Sequence, residues 1–420
     1  MNLKRFDIPF LRNVSETIVT RVLLIIVGLV SSVLVARVLG PEGRGLFAIA
    51  GTIGAIGIQF GNLGIHSSNT YYVARDRTLL PTLLGNSLIV GLGIGMVAAV
   101  VAFLIFVCYP GIAPLDGTIL LLALLWIPFG LLYLLLQNLM IGIEQIRFYN
   151  VTELITKVLY TLAIAFLVLF GQVSVEFVYT IVIATGLAGV VVLLWRLIRL
   201  AGAWKSSFYV FRRSFSFGVK AYFVALFSFL VMRIDLLMVE FYLGLDATGH
   251  YSIAITLADY LYMIPVVVGT ILFPKLSGMR GLREKWIYTK RLMLFFTPAM
   301  VLLCLFAALL ARPSVLLLFG KEFEAAVAAF LWLIPAVLCL SLNTVFMNYF
   351  ASLGMPLITL YSTIIAVALN IALNVWLLPK YGIIGASISS IVAYGTMLAV
   401  SVTYIYWKKP FYEPEVQYET

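Results

Sequence analysis

The sequence predicts an all-α integral membrane protein with twelve transmembrane helices in two six-helix lobes. Three observations predict it. The chain of 420 residues is 63% hydrophobic and 11% charged, with a mean hydropathy of +1.09, outside the range of soluble domains. Residues 45–74, 117–143, 292–311 and 381–407 each lack Asp, Glu, Lys and Arg, and 325–379 form one such run of 55 broken only by Gly354-Met355-Pro356. About 20 apolar residues cross a bilayer as a helix, so that run holds two crossings. Helix is the required state, because lipid offers no partner to backbone polar groups. Third, Leu39-Gly40-x4-Gly45-x-Phe47-x-Ile49-Ala50 returns 204 residues later as Leu243-Gly244-x4-Gly249-x-Tyr251-x-Ile253-Ala254. A repeat at half the chain length marks two copies of one unit.

Breaks at Gly, Pro and charge clusters place the spans near 15–38, 44–70, 82–109, 116–141, 150–170, 174–197, 214–242, 248–274, 289–311, 325–350, 356–379 and 382–407. Alternate connections sort the basic residues by side. One side, which holds both termini, carries 19 of the 28 Lys and Arg residues; the other carries 5. The positive-inside rule puts both termini in the cytoplasm. The basic connection 198–213 then links an amino-terminal lobe (1–197) to a carboxyl-terminal lobe (214–420). A second match, Gly142 and Tyr149 with Gly354 and Tyr361, lies at an offset of 212. Six spans separate the copies, so they start on the same side. They are parallel repeats, related by a pseudo-two-fold axis along the membrane normal.

Other features are read as packing. Gly51, Gly54, Gly57 and Gly61 in span two, and Gly91, Gly93 and Gly95 in span three, suit close helix contact, with a flexible point as the sharper alternative. Trp126, Trp195, Trp204, Trp286, Trp376 and Trp407 read as an interfacial belt. Cys108, Cys304 and Cys339 lie in or at the ends of apolar spans without ligand or disulfide spacing. Neither His66 nor His250 has ligand-like neighbours, so no metal is expected. Nor is a cofactor: no Walker A pattern occurs, and Gly91–Gly95 lies mid-span with no strand before it. A cleaved signal peptide is not expected. The net charge of +10 sits in short loops between spans, as topology signals do, which argues against nucleic acid as a partner.

Ionisable residues inside spans cost about 2.5 kcal/mol or more, so each is a functional candidate. They are Glu16, Arg21, Glu153, Lys157, Lys220, Arg233, Asp235, Glu240 and Asp259. Glu153 and Lys157 are spaced to pair along one face of span five. Arg21 lies near the cytoplasmic end of span one, where it could snorkel. Arg233 and Asp235 lie about 200° apart around span seven, so they do not pair well with each other. Asp259 lies at a matching depth in span eight, and an Arg233–Asp259 bridge is expected. Shifting by 204 maps Arg233 to Leu29, Asp235 to Ser31 and Asp259 to Ala55, so this cluster belongs to one half only. A net cationic interior fits an anionic substrate. Amides at Gln59, Asn62, Gln137, Asn138, Asn343, Asn348, Asn370 and Asn374 suit sugar hydroxyls or helix–helix contact alike.

Ala36 to Ala50, Arg233-Ile234-Asp235 followed by Leu243-Gly244-x4-Gly249-x-Tyr251-x-x-Ala254, and Tyr381-Gly382-Ile383-Ile384-Gly385-Ala386 together resemble Wzx-type polysaccharide flippases. These belong to the multidrug/oligosaccharidyl-lipid/polysaccharide (MOP) exporter superfamily, and the resemblance runs through nearly the whole chain. It implies a MATE-like bundle of two lobes around a cavity that opens alternately to either side of a bacterial cytoplasmic membrane. It implies an undecaprenyl-diphosphate-linked oligosaccharide as substrate, turned to the outer leaflet on the way to O-antigen or capsule, with membrane lipids and a polymerase or chain-length system as partners. An ion gradient would drive the cycle. On this reading Arg21, Lys157, Lys220 and Arg233 contact the diphosphate or sugars, Asp259 couples the ion, and Asp235 and Glu153 balance charge. Lipid II flippases are similar but usually carry fourteen spans. Two alternatives stay open: a multidrug cation antiporter, which should favour acidic cavity residues, and a multispanning polymerase or glycosyltransferase. The enzyme reading is disfavoured because the longest outer connection, about 312–324, is too short to shape a catalytic domain.

Overall fold

The computed structural model describes residues 8–171 and 173–408; the side chains of residues 8–18, Ile112 and Lys220 lie outside the description. All regular structure among the described residues is helical. In chain order the helices are α1 (Ile8–Gly61), α2 (Ile65–Arg75), α3 (Leu80–Leu88), α4 (Gly95–Cys108), α5 (Gly117–Gly142), α6 (Ile146–Leu169) and α7 (Val175–Ala201). After them come α8 (Phe208–Ser277), α9 (Leu282–Ser314), α10 (Ala325–Ser352), α11 (Leu357–Tyr381) and α12 (Ile383–Lys408). A π-helical turn, Ile89–Ile94, joins α3 to α4. Among the described residues ten helical stretches are long and apolar enough to cross a membrane. The protein is a multi-pass membrane protein.

Ten stretches stand where twelve spans are expected, and the difference has a local cause. At about 1.5 Å per residue, the 54 residues of α1 and the 70 of α8 would far outrun a hydrocarbon core of about 30 Å. Each is broken by one residue with helix on both sides: Gly40 (φ 67°, ψ −177°) and Gly244 (φ 79°, ψ −177°). Only glycine adopts this backbone without strain. These are the first glycines of the half-chain repeat, so that repeat encodes a backbone break. The second match behaves differently. Gly142 packs inside α5 against Val73 and Thr70, and Glu144 takes the positive φ of its turn, whereas Gly354 and Met355 both have positive φ. Tyr149 is buried and Tyr361 exposed. The two turns share a position in the chain but not a conformation.

The chain divides into two compact units, Met1–Leu226 and Phe227–Thr420. The division falls within α8 rather than at the connection 198–213. In the first unit the opening turns of α8 lie on α2: Phe217 stacks on Tyr71 with ring centroids 4.3 Å apart, and Gly218 meets Gly64 backbone to backbone. The core of this unit gathers around α5, with Leu132, Leu136, Leu139 and Met140 packed against Leu83, Leu84, Val190 and Leu193. Glycines bring the neighbours of α5 close: a Cβ on Gly57 or Gly61 would strike Ile127 or Leu131, and one on Gly91 or Gly95 would strike Leu132 or Pro128. That supports the packing reading for these positions. Trp126 packs against the neighbouring helices. Its indole fills a slot left by Gly54, Gly130 and Gly186, and a Cβ on Gly186 would lie 2.2 Å from the ring. In the second unit α10, α11 and α12 pack through Ala336, Leu340, Ala366, Ala393 and Met397, with Val231 of α8 joining them.

The glycine breaks predict that G244A and G40A each cost about 1–3 kcal/mol in strain. Thermal unfolding in detergent should show a lower midpoint for both variants and little change for Gly395→Ala, which meets nothing within 4 Å.

Candidate functional site

The candidate charged residues fall into two groups, one in each unit. In the first unit the expected pair between Glu153 and Lys157 does not form. Glu153 turns instead to Arg21 of α1, at 3.2 Å. The same guanidinium donates to the Tyr149 hydroxyl at 3.3 Å, and the Gln137 amide also donates to that hydroxyl. Helix packing decides the competition. The i, i+4 spacing offers Glu153 a lysine, but α6 lies along α1, and Arg21 reaches the carboxylate with a rigid fork of donors. Lys157 is left half-buried, its ammonium 5.0 Å from the centre of the Tyr160 ring. Among the described residues no carboxylate comes within ion-pairing distance of it; the charged groups that act on it are Arg44 and Glu153.

Arg44 is a residue that sequence reasoning missed. It counts among the five basic residues of the outer side, yet it is 8% exposed and its guanidinium lies 5.6 Å from the centre of the Phe47 ring. The signal was present in the repeat: position 44 corresponds to Thr248, so the first half carries a cation where the second carries a hydroxyl. Among the described residues Lys157 thus feels both the Arg44 cation and Glu153, and Glu153 itself pairs with Arg21.

In the second unit the bridge expected between Arg233 and Asp259 is present at 2.8 Å, with side chains 27% and 37% exposed. It ties the two arms of α8 across the Gly244 break. Asp235 does different work. It is 2% exposed; one carboxylate oxygen accepts from the Tyr251 hydroxyl at 2.6 Å and the Ser390 hydroxyl at 3.1 Å, and the other accepts from the Leu236 amide at 2.9 Å. A buried carboxylate with three donors is a structural joint, and here it holds both arms of α8 and α12 together. Asp235, Asp259, Tyr262 and Tyr394 also line a small pocket of about 30 Å³. Tyr394 donates to the Val231 carbonyl, and Tyr262 hydrogen-bonds Thr344. The side chain of Lys220 lies outside the described residues.

The amides act chiefly between and along helices. Asn138 meets Thr70, Asn343 accepts from Ser401, and Asn370 and Asn374 bond to each other at 3.0 Å while each keeps one buried atom without a partner. His66 is held by Asn62 and Ser67, and His250 bridges Asp246 at 3.4 Å. Among the described residues no three His, Cys, Asp or Glu side chains gather as a metal site.

Residues 34–328 match the family described as polysaccharide biosynthesis protein. Two archaeal relatives extend the comparison. The membrane protein MJ1068 of Methanocaldococcus jannaschii, described as uncharacterized, is 24% identical over 205 residues, covering 46% of this chain and 39% of that protein. Agl15 of Haloferax volcanii, described as a probable low-salt glycan biosynthesis flippase, is 23% identical over 224 residues, covering 52% of this chain and 48% of that protein. Each match thus spans less than half the length of the relative. Among solved structures, a multidrug-resistance MATE family transporter of the MOP superfamily, in its inward-facing conformation, superposes with a TM-score of 0.73 at 14% identity, covering 93% of this chain and 96% of that one. The lipid II flippase MurJ, in an inward closed conformation, gives a TM-score of 0.69 at 15% identity, covering 94% and 88%. The chain shares its fold with both of these transporters.

The two aspartates should separate on mutation. D235A strips three donors of their acceptor and should cost roughly 3 kcal/mol, whereas D259N should be mild. A double-mutant cycle on Arg233 and Asp259, read by thermal unfolding, should return a coupling of about 1 kcal/mol. Equal unfolding midpoints for D235A and the wild type would remove the structural role of Asp235.

Proposed function

The chain belongs to the polysaccharide biosynthesis protein family, and we propose that it turns a lipid-linked oligosaccharide from one leaflet of the membrane to the other. The substrate head is a diphosphate carried on a polyprenyl chain, undecaprenyl in a bacterial cytoplasmic membrane. Movement runs from the cytoplasmic to the outer leaflet. The glycine breaks at Gly40 and Gly244 support a reading of twelve spans, grouped as two six-helix lobes either side of the basic connection 198–213. The excess of basic residues on one side supports cytoplasmic termini. Alternating access between the lobes carries the head group past the hydrocarbon.

One observation carries the choice of substrate: Lys157, half-buried in a span, has no carboxylate within pairing distance among the described residues. A cation held in low dielectric without a carboxylate is costly, and an arriving phosphate offsets that cost strongly. Arg21 and Arg233 are engaged by Glu153 and Asp259, and substrate phosphate competes for them. Lys220 extends the same cationic series. Asp259, released from Arg233, takes up the coupling ion, with Asp235 and Glu153 completing the charge balance. Capsule or O-antigen assembly would place a polymerase or chain-length system downstream. A multidrug cation antiporter shares the fold, but a span lysine with no carboxylate in pairing distance among the described residues disfavours it.

In a host lacking its own flippase, K157A and R233A should lower surface polysaccharide at least tenfold at preserved expression, and K157R should retain most of it. Undiminished polysaccharide with K157A and R233A would sink the assignment.

A further inference from the structure

A pocket of about 570 Å³ opens at the start of α8, lined by Tyr72, Tyr209, Arg212, Arg213, Ser216 and Phe217. Both arginines are exposed, and among the described residues no carboxylate pairs with either. The Arg213 guanidinium lies 5.2 Å from the centre of the Tyr72 ring, and that ring packs on Phe217 with centroids 5.6 Å apart. The pocket therefore offers two guanidinium forks, two phenol hydroxyls and a serine hydroxyl, with one fork oriented by an aromatic face.

The site is built rather than incidental. The strand of chain before α8 is clamped onto α3. The Asn86 carboxamide donates to the Ser207 carbonyl at 3.1 Å and accepts from the Ser207 amide at 3.0 Å, and the Lys205 amide donates to the Pro81 carbonyl at 3.0 Å. Gly85 permits this approach, since a Cβ there would lie 1.9 Å from the Lys205 carbonyl oxygen. These bonds fix where Arg212 and Arg213 stand relative to Tyr72.

We propose that this pocket binds the phosphate head group of an anionic phospholipid in the leaflet at that end of α8. Depth argues for a lipid. The pocket lies just before the apolar stretch Ala221–Ser277, and Trp204, Phe208 and Tyr209 beside it are 58%, 77% and 73% exposed. Exposed aromatics of this kind sit at head-group level. A soluble phosphate gains nothing from such a rim, whereas a phospholipid sets its phosphate on the arginines and its acyl chains against the rings. Paired guanidiniums favour an anionic lipid over a zwitterionic one, whose own cation would face them. The bound lipid would brace the α2–α8 contact, where Gly64 and Gly218 touch.

Native mass spectrometry of the full chain in detergent, titrated with phosphatidylglycerol and phosphatidylcholine in competition, tests this. Phosphatidylglycerol should dominate the retained lipid. Each arginine contributes about fivefold in affinity, so R212Q/R213Q should lower phosphatidylglycerol binding by more than tenfold and leave phosphatidylcholine binding alone. R280Q/R283Q, which removes equal charge elsewhere, should change nothing. If R212Q/R213Q fails to fold, S216E places a carboxylate in the pocket and should have the same effect. Wild-type affinity in the R212Q/R213Q or S216E protein overturns the proposal. So does displacement of phosphatidylglycerol by equimolar inorganic phosphate or polyprenyl diphosphate, which would assign the pocket to a soluble anion or to the transported substrate.

Discussion

A backbone near φ +70° and ψ 180° occurs at Gly40 and again at Gly244, and much of the architecture depends on it. A hydrophobic chain that enters a membrane as helix must leave the helix to turn back. It must do so without stranding many backbone groups in a place where water is scarce. One glycine in a conformation closed to other residues achieves this in a single step. Helix resumes at once on both sides, and the side chains of the two arms are brought back to matching depths. The Arg233–Asp259 bridge and the Asp235–Tyr251 hydrogen bond both depend on that return. They connect residues that the break places side by side.

The duplication is therefore deepest in the backbone and shallowest in the charges. Both halves carry the break, yet they use different ionisable groups. In the second unit Asp235 is saturated by three donors, and Asp259 is held by Arg233. In the first unit Arg21 takes Glu153, and Lys157 stands beside an aromatic ring with no carboxylate in pairing distance among the described residues. A cation held that way inside a membrane has an energetic cost.

Much of this was legible in the sequence, for identifiable reasons. Spans were legible because lipid imposes a length and an apolar composition on each helix. The first repeat was legible because its glycines answer to a backbone constraint. The Arg233–Asp259 bridge could be anticipated because depth in a membrane is readable by counting residues from a turn. What could not be read was rotation about the helix axis. The spacing of Glu153 and Lys157 satisfied a local rule, but the packing of α6 on α1 gave the carboxylate to Arg21. Trp126 looked interfacial by position, and only the slot between Gly54, Gly130 and Gly186 shows it as packing. Arg44 looked like a loop cation until its burial placed it near Lys157. Asp235 was expected to balance charge because a carboxylate in a span is costly; its Tyr251 and Ser390 donors come from segments that sequence cannot bring together.

We propose that a cationic interior on this fold carries a lipid-linked anionic glycan. The most direct measurement places the purified chain in liposomes containing a fluorescent polyprenyl-diphosphate oligosaccharide and follows the fraction open to a membrane-impermeant quencher. The quenchable fraction should change with time in protein-bearing vesicles and not in empty ones, and K157A should slow the change at least tenfold. Equal rates in empty and protein-bearing vesicles, together with protein-dependent uptake of a lipophilic cationic dye, would contradict it.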